Sequence, residues 1–167
     1  SAFAIISLCL SNPNCTNLFI FTPLILAYIF STLLEKLFFI SFKHKGKKRV
    51  KSIKDLKIVE ITASFGKTSI KNYLYHILKN KYKVYKTPRS VNTIAGIVLD
   101  VNKDLPADTQ IYIAEAGARV KGDIEEITMF LEPQICVIGS VGEQHIEYFK
   151  TLENIINTKM EILKSPN

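Results

Sequence analysis

Charge is almost absent from the first quarter of this 167-residue chain: Glu35 and Lys36 are the only acidic and basic residues before Lys43. A secretory signal peptide carries basic residues ahead of its apolar run and small residues behind it, and neither pattern is present, which argues against that reading. What remains is an apolar stretch from Leu18 to Phe42, 25 residues long. At about 1.5 Å rise per residue, a helix of that length exceeds the roughly 30 Å hydrocarbon core of a bilayer and can span it with some tilt. Pro23 near its start is compatible with such a helix. Glu35 and Lys36 in mid-run keep a buried hairpin of a soluble domain open as the alternative. A shorter apolar run, Ala2 to Leu10, is broken by "SNPN" and reads as the tail of an earlier membrane segment.

Cysteine is scarce as well. Cys9, Cys15 and Cys136 are odd in number and form no CxxC pair, which argues against a disulfide or zinc framework and fits a reducing compartment. Buried or lipid-facing thiols are the plainer reading. No internal repeat or low-complexity segment is present. The chain starts at Ser1 rather than Met and stops at Asn167 straight after a helical pattern, so it reads as a stretch of a longer product.

Positive charge is concentrated in one place. "KHKGKKRVKSIKDLK" carries eight Lys or Arg between Lys43 and Lys57 against one Asp, which equals the whole net charge of +7. A basic cluster behind an apolar helix is the positive-inside signal; it puts the chain after residue 43 on the cytoplasmic side, with anionic lipid contact through 18–57. The run lacks interleaved aromatics and any recognised motif, so nucleic-acid binding is not expected. The expected domains are 1–50, a membrane segment with its basic flank, and 51–167, the first part of a nucleotide-binding domain.

From Leu56 onward, apolar runs of strand length alternate with helical patterns, the signature of a parallel sheet with helices on its faces, hence an α/β class. Strands are predicted at 57–62, 82–86, 109–115 and 135–140, and helices at 67–80, 93–103, 121–131 and 151–164. Ligands of such sheets collect where strands end and helices begin. Lys67 and Thr68 follow the first predicted strand, Glu115 ends the third and His145 follows the fourth.

"TASFGKTS" at 62–69 is a small-residue turn between a strand and an amphipathic helix. Backbone N–H groups of Ser64, Phe65, Gly66, Lys67, Thr68 and Ser69 would cradle phosphate oxygens, Lys67 would neutralise the terminal phosphates, and the Thr68 hydroxyl would bind Mg²⁺. The long GxxxxGK[ST] pattern is missing its first glycine, because position 61 is Ile. A lone GKT is a weak signal; the strand before it and the helix after it strengthen it.

The loop is similar to the short "GTxGKT" or "GSxGKT" form of the Mur ligases and folylpolyglutamate synthetases. Three further stretches resemble the Mur ligase family in the same order: "TPRSVNTIAG" at 87–96, "AEAGARVKGDIEEI" at 114–127 and "SVGEQHIEYFKTLENIINTKMEI" at 140–162. They most resemble the family branch that joins D-alanyl-D-alanine to UDP-MurNAc-tripeptide. The resemblance implies a P-loop NTPase type of sheet and an ATP-dependent amide ligase of peptidoglycan precursor synthesis, working through an acyl phosphate, with ATP and Mg²⁺ as cofactors.

It also implies roles. Glu115 would help hold Mg²⁺, and His145 would contact a second Mg²⁺. Lys159 would be carbamylated to support that second metal, and Asn92 and Thr93 would face the nucleotide-sugar substrate. Family members carry further domains, so this stretch alone is not expected to catalyse the reaction. Ala63 replaces a family glycine, and its Cβ is expected to restrict a backbone angle that the turn needs. Thr93 stands for Asn, Gln144 for a small residue and "AGAR" for "MGAN". His76 reads as structural or exposed, Arg119 and Lys121 as a solvated loop or an anion contact, and Asp123, Glu125 and Glu126 as the acidic first turn of a helix. The rival readings are a folate or poly-amino-acid ligase of the same superfamily, and a membrane-tethered nucleotide-binding module without turnover.

Overall fold

The computed structural model describes residues 13–143 and 146–167, with side chains from residue 21 onward. Cys9, Cys15, the run from Ala2 to Leu10, Gln144 and His145 lie, wholly or in their side chains, outside this description. The chain divides into two compact units, residues 1–41 and 42–167.

Helix α1 runs Pro13–Ser52, longer than the apolar stretch suggests, because the basic run continues the helix. Pro23 therefore falls inside it rather than near its start, where its missing N–H removes one intrahelical bond. Among the described residues of the first unit, most large apolar side chains, Leu24, Tyr28, Phe30 and Phe38 among them, are exposed. By length and composition this helix is apolar enough to cross a membrane, and none of its apolar window is buried.

The second unit contains β1 (Lys57–Thr62), α2 (Lys67–Leu78), β2 (Val84–Lys86), α3 (Ile94–Lys103), β3 (Ile111–Glu115), α4 (Asp123–Leu131), β4 (Ile135–Ile138), α5 (Ile146–Phe149) and α6 (Leu152–Met160), followed by a 3₁₀ turn, Glu161–Lys164. The four strands form one parallel sheet in the order β2-β3-β1-β4. The predicted elements are all present, β1 with the expected bounds and the others with trimmed ends; α5 is additional, being too short to show a period in sequence.

Side chains of β1 alternate between two apolar layers, as a strand covered on both faces requires. Val59 and Ile61, with Ile113, pack against Ile70, Leu74 and Leu78 of α2. Ile58, with Tyr112 and Ala114, faces Ile97, Val98 and Val101 of α3 and Ile124, Ile127 and Phe130 of α4. The α2 crossover runs from β1 toward one edge and the α4 crossover runs from β3 toward the other. With right-handed crossovers the two helices must lie on opposite faces, and a crevice opens between the carboxyl ends of β1 and β3.

The last turns of α1 belong to this unit. Val50 and Ile53 join the core, and Gly46 lies where an added Cβ would come within 2.9 Å of Asn102 and 3.0 Å of Phe130. Lys43 pairs with Glu126 at 2.6 Å, Lys47 and Lys51 with Glu132 at 2.8 and 3.1 Å, and Arg49 donates to Leu105 O at 2.6 Å. Half of the basic run is thus engaged by the α/β unit.

Candidate active site

After Thr62 the chain turns through Ala63, Ser64 and Phe65 into Gly66, whose φ of 80° is left-handed. Open space surrounds the position of a Cβ there, so the demand for glycine is conformational and not spatial. Ser64 fastens the turn to the loop after β4: its N–H donates to Ser140 O at 2.7 Å, and its hydroxyl donates to Gly142 O at 2.9 Å and accepts from Gly142 N–H at 3.0 Å. Ala63 is not among the residues with positive φ, so the restriction expected from its Cβ does not arise. The demand for smallness moves across the turn instead: a Cβ on Gly139 would meet the Ala63 methyl at 2.9 Å.

Lys67 opens α2 and donates from Nζ back to Ala63 O at 2.6 Å. Burial lowers its pKa, with Glu115 opposing the shift. Thr68 Oγ1 donates to Glu115 Oε2 at 3.1 Å, so the two residues expected at a metal touch across the β1–β3 crevice. A hydroxyl and a carboxylate are hard oxygen donors of the sort that Mg²⁺ takes together with phosphate and water, and they fit that ion. Among the described residues, no group of three His, Cys, Asp or Glu side chains converges.

Lys159 lies near the end of α6, buried, and its pKa is brought down to about 8 by burial and by repulsion from Lys67. Lys67 and Lys159 line one cleft of about 350 Å³ with Asn92, Thr93, Arg119 and Asp123. Asp123 Oδ2 accepts from the N–H groups of Arg119 and Val120, at 2.8 and 3.0 Å, so three basic side chains line the space against one hydrogen-bonded carboxylate. Such a cleft favours a polyanion. Thr93 caps α3 by accepting from Gly96 N–H at 3.4 Å, and Asn92 accepts from Gly117 N–H through its carbonyl at 2.8 Å. Phe65 is exposed at the mouth of the turn, and Ser69 is exposed on α2. His145 falls outside the described residues. The structure thus brings together Lys67, Thr68, Glu115, Asn92, Thr93 and Lys159.

One further residue of this group does not stand out in the sequence. Lys71, one turn after Lys67, is as fully buried as Glu115, each 1% exposed, and the two pair at 2.6 Å. Its ammonium also donates to Thr87 O at 2.8 Å and Arg89 O at 2.5 Å. Its spacing from Lys67 and Thr68 puts all three on neighbouring positions of one helix face, which is the available signal.

A parallel α/β domain with lysine, hydroxyl and carboxylate gathered at the switch between two strand ends is the class of a phosphate-handling domain. The family description Mur ligase middle domain matches residues 61–167, and the chain belongs to the Mur ligase family. It is 34% identical over 109 residues to the UDP-N-acetylmuramoyl-tripeptide--D-alanyl-D-alanine ligase of Rickettsia prowazekii, covering 65% of this chain and 24% of that protein. The Bacillus subtilis protein of the same name is 32% identical over 107 residues, covering 64% and 23%. Among solved structures, MurF ligase from Thermotoga maritima in complex with ADP is similar with a TM-score of 0.71 and 35% identity, over 75% of this chain and 29% of that one. MurF from Acinetobacter baumannii gives a TM-score of 0.72 at 25% identity, over 75% and 28%. The chain spans about a quarter of the length of these curated relatives.

Proposed function

We propose that this chain is the nucleotide-binding part of an ATP-dependent ligase that adds D-alanyl-D-alanine to UDP-MurNAc-tripeptide in peptidoglycan precursor synthesis. The observation that carries the reading is a cleft lined by Lys67 and Lys159, with the Thr68–Glu115 contact next to Lys67, in a chain of the Mur ligase family. Residues 62–69 act as a P-loop: the turn's N–H groups hold the β- and γ-phosphates, and Lys67 swings from Ala63 O to the γ-phosphate. Thr68 and Glu115 would hold Mg²⁺, with His145 and a carbamylated Lys159 toward a second ion, and such ions would supply charge neutralisation at the phosphates. Asn92 and Thr93 position the nucleotide-sugar peptide.

The terminal carboxylate of the tripeptide forms a bond to the γ-phosphorus as the bond to ADP breaks. The amine of D-alanyl-D-alanine then attacks the acyl carbon, the amide forms, and phosphate leaves. Positioning and charge neutralisation account for most of the rate. Residues 1–50 form a membrane segment with a basic flank, 51–167 the start of the central domain, and the protein sits on the inner face of the cytoplasmic membrane, contacting it within 18–57 through the side chains that the α/β unit leaves free. The exposed apolar face of α1 supports this part.

The test is phosphate release by the full-length protein with ATP, UDP-MurNAc-tripeptide and D-alanyl-D-alanine. Release that needs all three, and that falls at least about a hundredfold in Lys67→Ala, is expected. Release with a folate or poly-amino-acid acceptor instead would overturn the substrate assignment, and ATP binding without turnover would favour a nucleotide-binding module.

A further inference from the structure

The Lys71 ammonium makes two hydrogen bonds and one ion pair, and its three partners belong to two different parts of the site. The ion-pair partner is Glu115 Oε1, at the end of β3, which accepts no hydrogen bond; the acceptors are the carbonyls of Thr87 and Arg89, in the loop after β2. That loop leads directly to Asn92 and Thr93. It is held at its far end by Gly117 N–H, which donates to Asn92 O at 2.8 Å, and Gly117 has no room for a Cβ, which would approach the Asn92 side chain to 2.8 Å. Arg89 has a φ of 48°, a left-handed conformation that a non-glycine residue keeps only when its surroundings impose it.

We propose that Lys71 is a positioning residue that couples the cation end of the site to the substrate loop 87–93. This rests on the proposed function and adds a link within it. Glu115 divides its two oxygens between the Lys71 ammonium and the Thr68 hydroxyl. When Oε2 is drawn to a divalent cation, the carboxylate becomes a weaker partner for the ammonium, which then leans on Thr87 O and Arg89 O and tightens the loop. Because the ammonium is buried, water cannot replace either carbonyl or the carboxylate, so a change at one is transmitted to the others. Occupancy at the phosphate end thereby orders the loop carrying Asn92 and Thr93 before the second substrate arrives.

The experiment is hydrogen–deuterium exchange on the full-length protein without ligand, with ADP and EDTA, and with ADP and Mg²⁺. ADP with EDTA should slow exchange at 63–69 and leave 87–93 unchanged, and Mg²⁺ should then slow 87–93 by about fivefold or more. Lys71→Gln should keep the ADP step and lose the Mg²⁺ step. Exchange at 87–93 that ignores Mg²⁺ in the wild type, or an Mg²⁺ step of wild-type size in Lys71→Gln, would overturn the proposal. If Lys71→Gln does not fold, the wild-type Mg²⁺ step decides alone. If neither form of ADP protects 63–69, the nucleotide reading itself falls and takes this inference with it; protection at 63–69 without the Mg²⁺ step sinks only the role of Lys71.

Discussion

Glu60 lies in the middle of β1, fully buried on the face covered by α4, where burial raises its pKa to about 8. Its Oε1 is 3.0 Å from Thr128 Oγ1, which also donates to Ile124 O at 2.8 Å. One hydroxyl proton cannot serve both acceptors at once, and a protonated Glu60 donating to Thr128 removes the conflict. The native state then binds more protons than the unfolded chain from the ordinary carboxylate range up to about pH 8, so stability falls as pH rises through that window. Glu60→Gln should flatten this dependence, seen as a Tm that changes less than the wild type's between neutral pH and pH 9. Lys159 shows the opposite sign: its pKa of about 8 means that its native-state penalty is present below pH 8 and is relieved as pH climbs toward the usual lysine value. A neutral amine is the form that reacts with CO₂. Labelled bicarbonate should therefore give a carbamate signal in nuclear magnetic resonance above pH 8, lost in Lys159→Gln; its absence in the wild type would count against the second-metal role.

At the scale of elements, the buried pair of Lys71 and Glu115 joins α2 to β3. Removing one member strands the other without water. Lys71→Met should cost about 3–5 kcal/mol in urea unfolding, and the double change Lys71→Met with Glu115→Leu should recover much of it. Gly66 at the amino end of α2 belongs to the same scale, since Gly66→Ala forces a Cβ into left-handed backbone at about 1–2 kcal/mol. Helix α4 has a glycine cap, Gly122, with no side chain to offer, and the Glu161 carboxylate reaches across to accept from Gly122 N–H at 2.8 Å and Glu125 N–H at 3.2 Å. The end of α1 is the element that sequence pattern alone describes least well. Its lysines suggest a solvated or lipid-facing run, yet Gly46, Val50 and Ile53 make it a packing face of the second unit. Gly46→Val should overpack Phe130 and destabilise that unit by about 1–3 kcal/mol, measured by thermal unfolding.

At the scale of the whole molecule, the basic run has two faces with different work. Lys43, Lys47, Arg49 and Lys51 have partners in the α/β unit, whereas Lys45 and Lys48 are exposed. If an apolar helix anchors the protein, high salt should leave it in the membrane pellet and detergent should release it. Recovery in the supernatant without detergent would sink the anchor.

The alternation of apolar runs with helical periods, and the GKT turn between a strand and a helix, can be read along the chain because each is a local pattern of near neighbours. The order β2-β3-β1-β4 cannot be read that way, nor can the contact of Thr68 with Glu115 or the closure of Ser64 onto Gly142. These depend on which strand lies beside which, a choice made by the crossovers and by burial of both sheet faces. Lys71 makes the difference plain: in sequence it is one lysine among 22 basic residues, and only the folded chain surrounds it with a carboxylate and two carbonyls that nothing else can satisfy.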